Sequence, residues 1–294
     1  MHIPVLLNEV IEILSPKKGE FIIDGTFGAG GHSSAILEKI SPNGILLAVD
    51  WDEQAIKKGK LVVQSQKARV LLVHGNYADL PEILKKHRLP KADGLLLDLG
   101  FSSDQIESSG KGFSFLRNEP LDMRYDVKQE LTAAAVVNGF KEDELADVLY
   151  KYGDERMSRK IAKSVVEFRK KKKILETFEL VEAINRAIPY RRGKIHPATR
   201  TFQALRIYVN GELDNIVRVL EDLPQIIKPG GRVAIISFHS LEDGIVKRFF
   251  KQMQRENKGE ILTKKPVIPV KGEILSNPRS RSAKLRGIKL VISR

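Results

Sequence analysis

Hydrophobic positions along this chain fall into two regimes. Near-continuous apolar runs occupy 21–24, 45–50, 69–74 and 92–99, and they alternate with segments at 33–40, 53–66 and 80–87 whose apolar residues recur at helical spacing. Unbroken runs predict strands buried on both faces, because a half-exposed strand would alternate apolar with polar residues. An amphipathic segment precedes the first strand. Between 104 and 207 nothing reads as a strand: 110–120 is loop-like, and helical patterns follow at 131–138, 142–150, 155–172 and 178–188. The alternation then resumes with a helix over 212–227, a turn at Lys228-Pro229-Gly230-Gly231, a strand over 232–238, a helix over 241–254, and strands within 260–270 and 287–293. The pattern predicts an α/β domain with a parallel sheet, made of 1–103 and 208–294 and split by an inserted helical domain at 104–207. The insertion follows the fourth strand, at the carboxyl edge where doubly wound folds bind ligands, so the insert is expected to lid or extend a substrate cleft.

The chemistry begins where the first strand ends. Asp24 is followed by four glycines in seven residues (Gly25, Gly28, Gly30, Gly31) and then by the helix that starts near Ser33. A strand, a glycine-rich turn and a helix N-terminus together suit an electron-rich, nucleotide-like ligand. The dinucleotide spacing G-x-G-x-x-G is not met and no G-K-[ST] follows, so NAD and ATP lose ground. Asp24 would oppose a pyrophosphate but suits the ammonium of an amino-acid tail, such as that of S-adenosylmethionine. Asp50, ending the second strand, stands where doubly wound folds place the acid that takes ribose hydroxyls.

Charge adds a partner. The net charge is +13 with a sequence pI near 9.7, and part of the excess is blocked rather than interspersed. Arg186, Arg191, Arg192, Lys194, Arg200 and Arg206 occur with no acid among them, interleaved with Tyr190, His196 and Phe202; Arg279, Arg281, Lys284, Arg286 and Lys289 form a second acid-free block. Such blocks point to nucleic acid. With 42% apolar residues, no cysteine, no signal-like N-terminus and no apolar run of membrane-spanning length, the chain reads as a cytoplasmic globular protein without disulfides, membrane segment or structural metal.

The segments HIPVLLNEV (2–10), DGTFGAGGHS (24–33), DLGFSSDQ (98–105), LDMRYD (121–126), HPATRTFQALRIYVNGEL (196–213), ISFHSLED (236–243) and NPRSRSAKLR (277–286) resemble the RsmH/MraW family over nearly the whole length. The resemblance implies a class I (Rossmann-like) S-adenosylmethionine-dependent methyltransferase fold with an inserted α-helical domain. It implies as substrate the N4 of a cytidine in 16S ribosomal RNA near the decoding centre (P site) of the small subunit. By motif position it implies Gly30, Gly31, His32, Asp50, Tyr77, Asp98 and Gln105 as cofactor residues, beside Asp24. Candidate RNA contacts are Arg124 in the LDMRYD motif and Arg191, Arg192, Arg200, Arg279 and Arg281 in the basic blocks.

For a cytosine target the absent cysteine has a consequence. C5 methylation generally needs a thiol adding at C6, whereas an exocyclic amine is methylated directly if acceptors hold its hydrogens and take a proton. Asp98, ending the fourth strand, with Ser102 or His239 as polar neighbours, are the candidates for that task. Tyr77, after the third strand, could stack on an adenine. Other amino-methyltransferases commonly carry two prolines and an aromatic after the acid; here Asp98 is followed by Leu99-Gly100-Phe101. A DNA amino-methyltransferase or a non-catalytic, cofactor-gated RNA binder would share much of this pattern.

Overall fold

The computed structural model describes residues 3–62, 67–100, 110–190 and 196–291. The chain divides into two compact units, one of residues 1–100 and 213–294 and one of residues 101–212.

In the first unit, α1 (Leu7–Leu14) leads into β1 (Phe21–Asp24), α2 (Gly31–Ile40), β2 (Ile45–Asp50), α3 (Glu53–Val62), β3 (Arg69–His74), α4 (Leu80–Lys86) and β4 (Ala92–Asp98). The second unit holds α5 (Ala133–Gly139), α6 (Glu142–Gly153), α7 (Ser158–Arg169), α8 (Thr177–Ala187) and α9 (Ala198–Asn210). After α10 (Glu212–Glu221), at the junction of the units, the first unit continues with α11 (Leu223–Ile226), β5 (Ile227–Ser237), α12 (Ser240–Arg255), β6 (Gly259–Ile261), α13 (Lys271–Ser276) and β7 (Lys284–Leu290).

Among the described residues seven strands lie in the order β3-β2-β1-β4-β5-β7-β6. Pairing is parallel from β3 through β5, while β7 runs antiparallel to both β5 and β6. Successive strand residues serve opposite faces, which explains the unbroken apolar runs. Ile23, Leu47, Leu95 and Leu97 pack with Leu80 of α4, Val219 of α10 and Phe250 of α12. Ile22, Leu46, Leu96 and Ala234 pack with Val10 of α1 and with Ile36 and Leu37 of α2. Helices on both faces of a mostly parallel sheet make the doubly wound architecture that the periodicity predicts. The order of strands reverses between β1 and β4, so the ligand crevice of such a fold lies at the carboxyl ends of those two strands.

Two details differ from the sequence pattern. Residues 228–231 are an irregularity within β5, where the pairing steps from Ala92 with Ile227 to Gly94 with Arg232; Gly230, at φ 85°, supplies the backbone that the step requires. The acid-free block 186–206 contains a helix, α9, whose Phe202, Leu205 and Val209 enter the core of the second unit. Gly153 lets α6 close on it, since a Cβ there would lie 2.6 Å from the Arg200 carbonyl oxygen.

Candidate active site

Three carboxylates end adjacent parallel strands: Asp24 on β1, Asp50 on β2 and Asp98 on β4. The turn after β1 is stitched to the neighbouring strand ends by its own backbone, with Gly25 N–H donating to the Leu96 carbonyl and Phe27 N–H to the Val49 carbonyl, both at 2.9 Å. Asp24 lies beneath this turn with 1% exposure. Its Oδ1 accepts from Thr26 N–H at 3.1 Å and its Oδ2 from the Ser33 hydroxyl at 2.7 Å, and burial raises its carboxyl above the ordinary range. The expectation that Asp24 meets an ammonium is therefore corrected: it fixes the turn from within.

The glycines are also packed from within the fold. Gly28 (φ 54°) donates its N–H to Asp50 Oδ2 at 2.7 Å, and Gly30 (φ 79°) donates to the Phe27 carbonyl at 2.8 Å. A Cβ on Gly30 would come within 2.8 Å of the buried Phe27 ring, and one on Gly31 within 2.6 Å of Pro4. Those two glycines thus admit Phe27 and the N-terminal segment as packing partners. Gly25 borders the crevice: a Cβ there would stand 2.5 Å from Leu97 Cδ2 and 3.1 Å from Tyr77 Cβ.

Asp50 accepts from Gly28 N–H through one oxygen and from Asp52 N–H at 2.8 Å through the other. Burial nevertheless pushes its carboxyl up to about 6, and the two N–H bonds pull against it. Each oxygen keeps a further lone pair for a ligand hydroxyl. Tyr77 opens a short 3-10 turn (Tyr77–Asp79) after β3 and packs half-buried on the sheet core. The turn is set by Asn76, which accepts from Ala78 N–H at 2.9 Å and donates to Asn215 at 3.1 Å.

Asp98 donates its backbone N–H to Thr26 Oγ1 at 2.6 Å, and its Oδ1 accepts from Gly100 N–H at 3.2 Å. Its Oδ2 stands 3.8 Å from His32 Nδ1. The His32 ring is oriented from behind, because Nε2 lies 2.9 Å from the Val5 carbonyl, a pure acceptor, and so carries the proton. Partly exposed carboxylates at Asp50 and Asp98, a half-buried aromatic and a glycine approach form an acceptor-rich crevice. That set of acceptors fits S-adenosylmethionine, whose ribose hydroxyls, ammonium and sulfonium are donors or cations.

The other expected residues separate. His239 is the N-cap of α12, accepting from Glu242 N–H at 3.4 Å through Nδ1, with its Nε2 3.0 Å from Glu242 Oε1. Glu242 is 2% exposed and accepts in return from Phe238 N–H at 2.8 Å. His239 is thereby corrected from a candidate proton acceptor to a capping residue; the sequence signal was Glu242 three positions on, the second half of a capping box. Arg124 is tied to Asp122 by Nε–Oδ1 at 2.7 Å and Nη2–Oδ2 at 2.9 Å, and Nη1 donates to the carbonyls of Val127 and Gln129. This replaces the expected phosphate contact with a brace for its own loop. Arg200 is exposed, as are Arg279 and Arg281 on the 3-10 turn Pro278–Ser282. Arg286, from the same basic block, is instead buried against Asp243 at 2.7 Å. Ser102, Gln105, Arg191 and Arg192 lie outside the described residues. The contributions of Thr26, Val5 and Pro4 were not anticipated; only the HIPVLLNEV segment hinted at the last two.

The family model described as the MraW methylase family matches residues 1–291. Curated relatives named ribosomal RNA small subunit methyltransferase H include that of Coprothermobacter proteolyticus, 47% identical over 98% of this chain and 95% of the relative. The one from Rickettsia africae is 47% identical over 99% and 98% of the two chains. A crystal structure of a candidate rRNA methylase from Clostridium thermocellum covers 99% of this chain and 100% of its own with a TM-score of 0.50 at 11% identity, a likeness that shows the fold alone. A family model spanning nearly the whole length, and relatives of this identity aligned end to end, mean that the chain belongs to the MraW methylase family.

Proposed function

We propose that this protein methylates the exocyclic N4 of a cytidine in 16S ribosomal RNA, near the decoding centre (P site) of the small subunit, with S-adenosylmethionine as methyl donor. The carrying observation is Asp98, a partly exposed carboxylate at the end of β4, whose Oδ2 stands 3.8 Å from His32 Nδ1 in a chain without cysteine. The bound cofactor supplies an activated methyl group on a sulfonium leaving group. Asp50 accepts the ribose hydroxyls, Tyr77 offers its ring to the adenine, and Asp98 accepts a hydrogen of the target amine and then its proton. The helical unit, with Arg200, and the 3-10 turn, with Arg279 and Arg281, contribute to holding RNA, and Arg191, Arg192, Gln105 and Ser102 keep the roles expected of them. Relatives named as small-subunit rRNA methyltransferases support the substrate.

The test is the product. Incubation with cofactor and 16S rRNA or assembled small subunits, followed by mass spectrometry of the digested nucleosides, should yield N4-methylcytidine and no 5-methylcytidine. A C5 product, or methylation of DNA in preference to rRNA, would sink the reading.

Asp50 gives a second expected outcome. Replacing it with alanine removes hydrogen bonds to a charged group, about 1.5 to 3 kcal/mol, and should weaken cofactor binding about ten- to a hundredfold. Because its carboxyl titrates near 6 and the ribose donates to the ionised form, wild-type affinity should decline as the pH drops through 6. Asp50→Asn should flatten that part of the profile. Calorimetric titration between pH 5 and 8 checks both, and unchanged affinity in the alanine variant would remove Asp50 from the site.

A further inference from the structure

A line of rings runs outward from the core of the helical unit. Phe202, 4% exposed, meets Phe115 edge-on at 5.6 Å and 73°. Phe115 lies flat on His196 at 4.8 Å and 15°, and His196 packs against Tyr190 at 4.9 Å and 35°. Tyr190, at the outer end, is 49% exposed. Each spacing is that of an attractive aromatic pair, so every ring is held by the one beneath it. His196 Nδ1 accepts from Ala198 N–H at 3.1 Å, which puts the ring proton of the neutral form on Nε2, and burial lowers its pKa. The middle of the line is therefore uncharged at neutral pH, and Tyr190 presents an outer ring backed by His196.

The surroundings say what such a ring would meet. From 186 to 206 the sequence has six cations and no acid; Arg186 and Arg206 are paired with Glu182 and Glu212 outside that stretch, while Arg200, four residues beyond His196, is exposed. A flat, backed ring in a cationic segment matches a polyanion with flat unpaired faces, since bases stack on aromatic side chains while cations take the phosphates. We infer that the exposed face of Tyr190, braced by His196 and Phe115, is a stacking platform for an unpaired base of the RNA substrate. This rests on the proposed action on rRNA and adds a specific contact to it: recognition by ring stacking, tolerant of base identity, in the helical unit.

The experiment measures binding of a single-stranded 16S rRNA fragment and of assembled small subunits to the full-length protein. Tyr190→Ala and Tyr190→Leu should lose about five- to a hundredfold in affinity for the fragment. Tyr190→Phe and Tyr190→Trp should stay near wild type. Because no phosphate contact is lost, the slope of log affinity against log salt should be the same for all five proteins. The chain has one tryptophan, Trp51, so extra emission in Tyr190→Trp is assignable to position 190, and RNA should quench it. If Tyr190 merely covers the core, the alanine and leucine variants will melt earlier yet bind RNA as tightly as wild type, which overturns the platform while the proposed function stands. Weakened binding to the subunit with unchanged binding to the free fragment would assign the face to a ribosomal protein and likewise overturn it. Failure of the wild type to bind RNA at all would overturn the proposed substrate and the platform together.

Discussion

Asp98→Asn is expected to lower kcat by about a hundredfold to ten-thousandfold, the range spanned by a positioned proton acceptor, and to leave the KM for RNA near wild type. The substitution keeps the shape of the strand end. The backbone N–H of residue 98 still reaches Thr26 Oγ1, and an amide oxygen can still accept from Gly100 N–H. What changes is the other side of the group, toward His32. In the neutral form of His32, with the Nε2 proton committed to the Val5 carbonyl, Nδ1 offers a lone pair, so that two acceptors face each other across 3.8 Å. That distance is too long for a direct hydrogen bond and suits a donor placed beside both, such as an amine with two hydrogens. Asparagine can still accept one hydrogen bond, but it is neutral and takes no proton as the methylated nitrogen becomes cationic. Single-turnover rates with saturating RNA and cofactor read the step directly. A rate within tenfold of wild type would mean that Asp98 holds no reacting atom. His32→Ala, which removes the second acceptor and spares the carboxylate, should cost less than Asp98→Asn.

How much of this was legible in the sequence depends on what carried the signal. The sheet was readable because both of its faces are covered: Ile22 and Ile23, or Leu46 and Leu47, are each apolar for a different helix layer. Asp50 and Asp98 were readable because a strand end fixes where a carboxylate sits without reference to any distant residue. Asp24 misled because the same reasoning places it at a strand end but cannot see that Thr26 and Ser33 fold back to occupy it. Gly30 and Gly31 were legible only in part; a missing Cβ signals close approach, and only the structure says that Phe27 and Pro4 are among what approaches. The basic blocks were least legible of all, because charge in sequence does not distinguish an exposed Arg200 or Arg281 from a buried Arg286. Helix α9 was hidden for the same reason: its cations drew attention away from Phe202, Leu205 and Val209, which recur at helical spacing on its buried side.

Arg286 leads to the second large effect, Asp243→Ala, which should destabilise the α/β unit by about 3 to 5 kcal/mol. Arg286 sits in β7 opposite Ile235 of β5, with 8% exposure, and its Nε and Nη2 reach the two oxygens of Asp243 in the first turn of α12 at 2.7 and 3.3 Å. Lys284, two residues earlier on β7, approaches the same carboxylate at 3.4 Å. One acid therefore offsets two cations, one of them enclosed, and alanine would leave a buried guanidinium unpaired with an ammonium nearby. Burial by itself would raise the Asp243 carboxyl, but the hydrogen bond and charge of Arg286, with those of Lys284, outweigh it and hold the group below the ordinary Asp value. The sign of the pH dependence follows. The unfolded chain takes up this proton first as acid is added, so the stabilisation is fully present above about pH 4, the unfolded Asp value, and is lost as the pH falls through the lower folded value. Denaturant unfolding followed by Trp51, the single tryptophan and a residue of this unit, should show the wild-type midpoint falling steeply below pH 4 and the Asp243→Ala midpoint low and flatter there. The double variant Asp243→Ala with Arg286→Leu should recover most of the loss at neutral pH, because the enclosed charge is then gone. If instead it is as unstable as the single variant, the damage comes from the first turn of α12 and not from an uncompensated arginine.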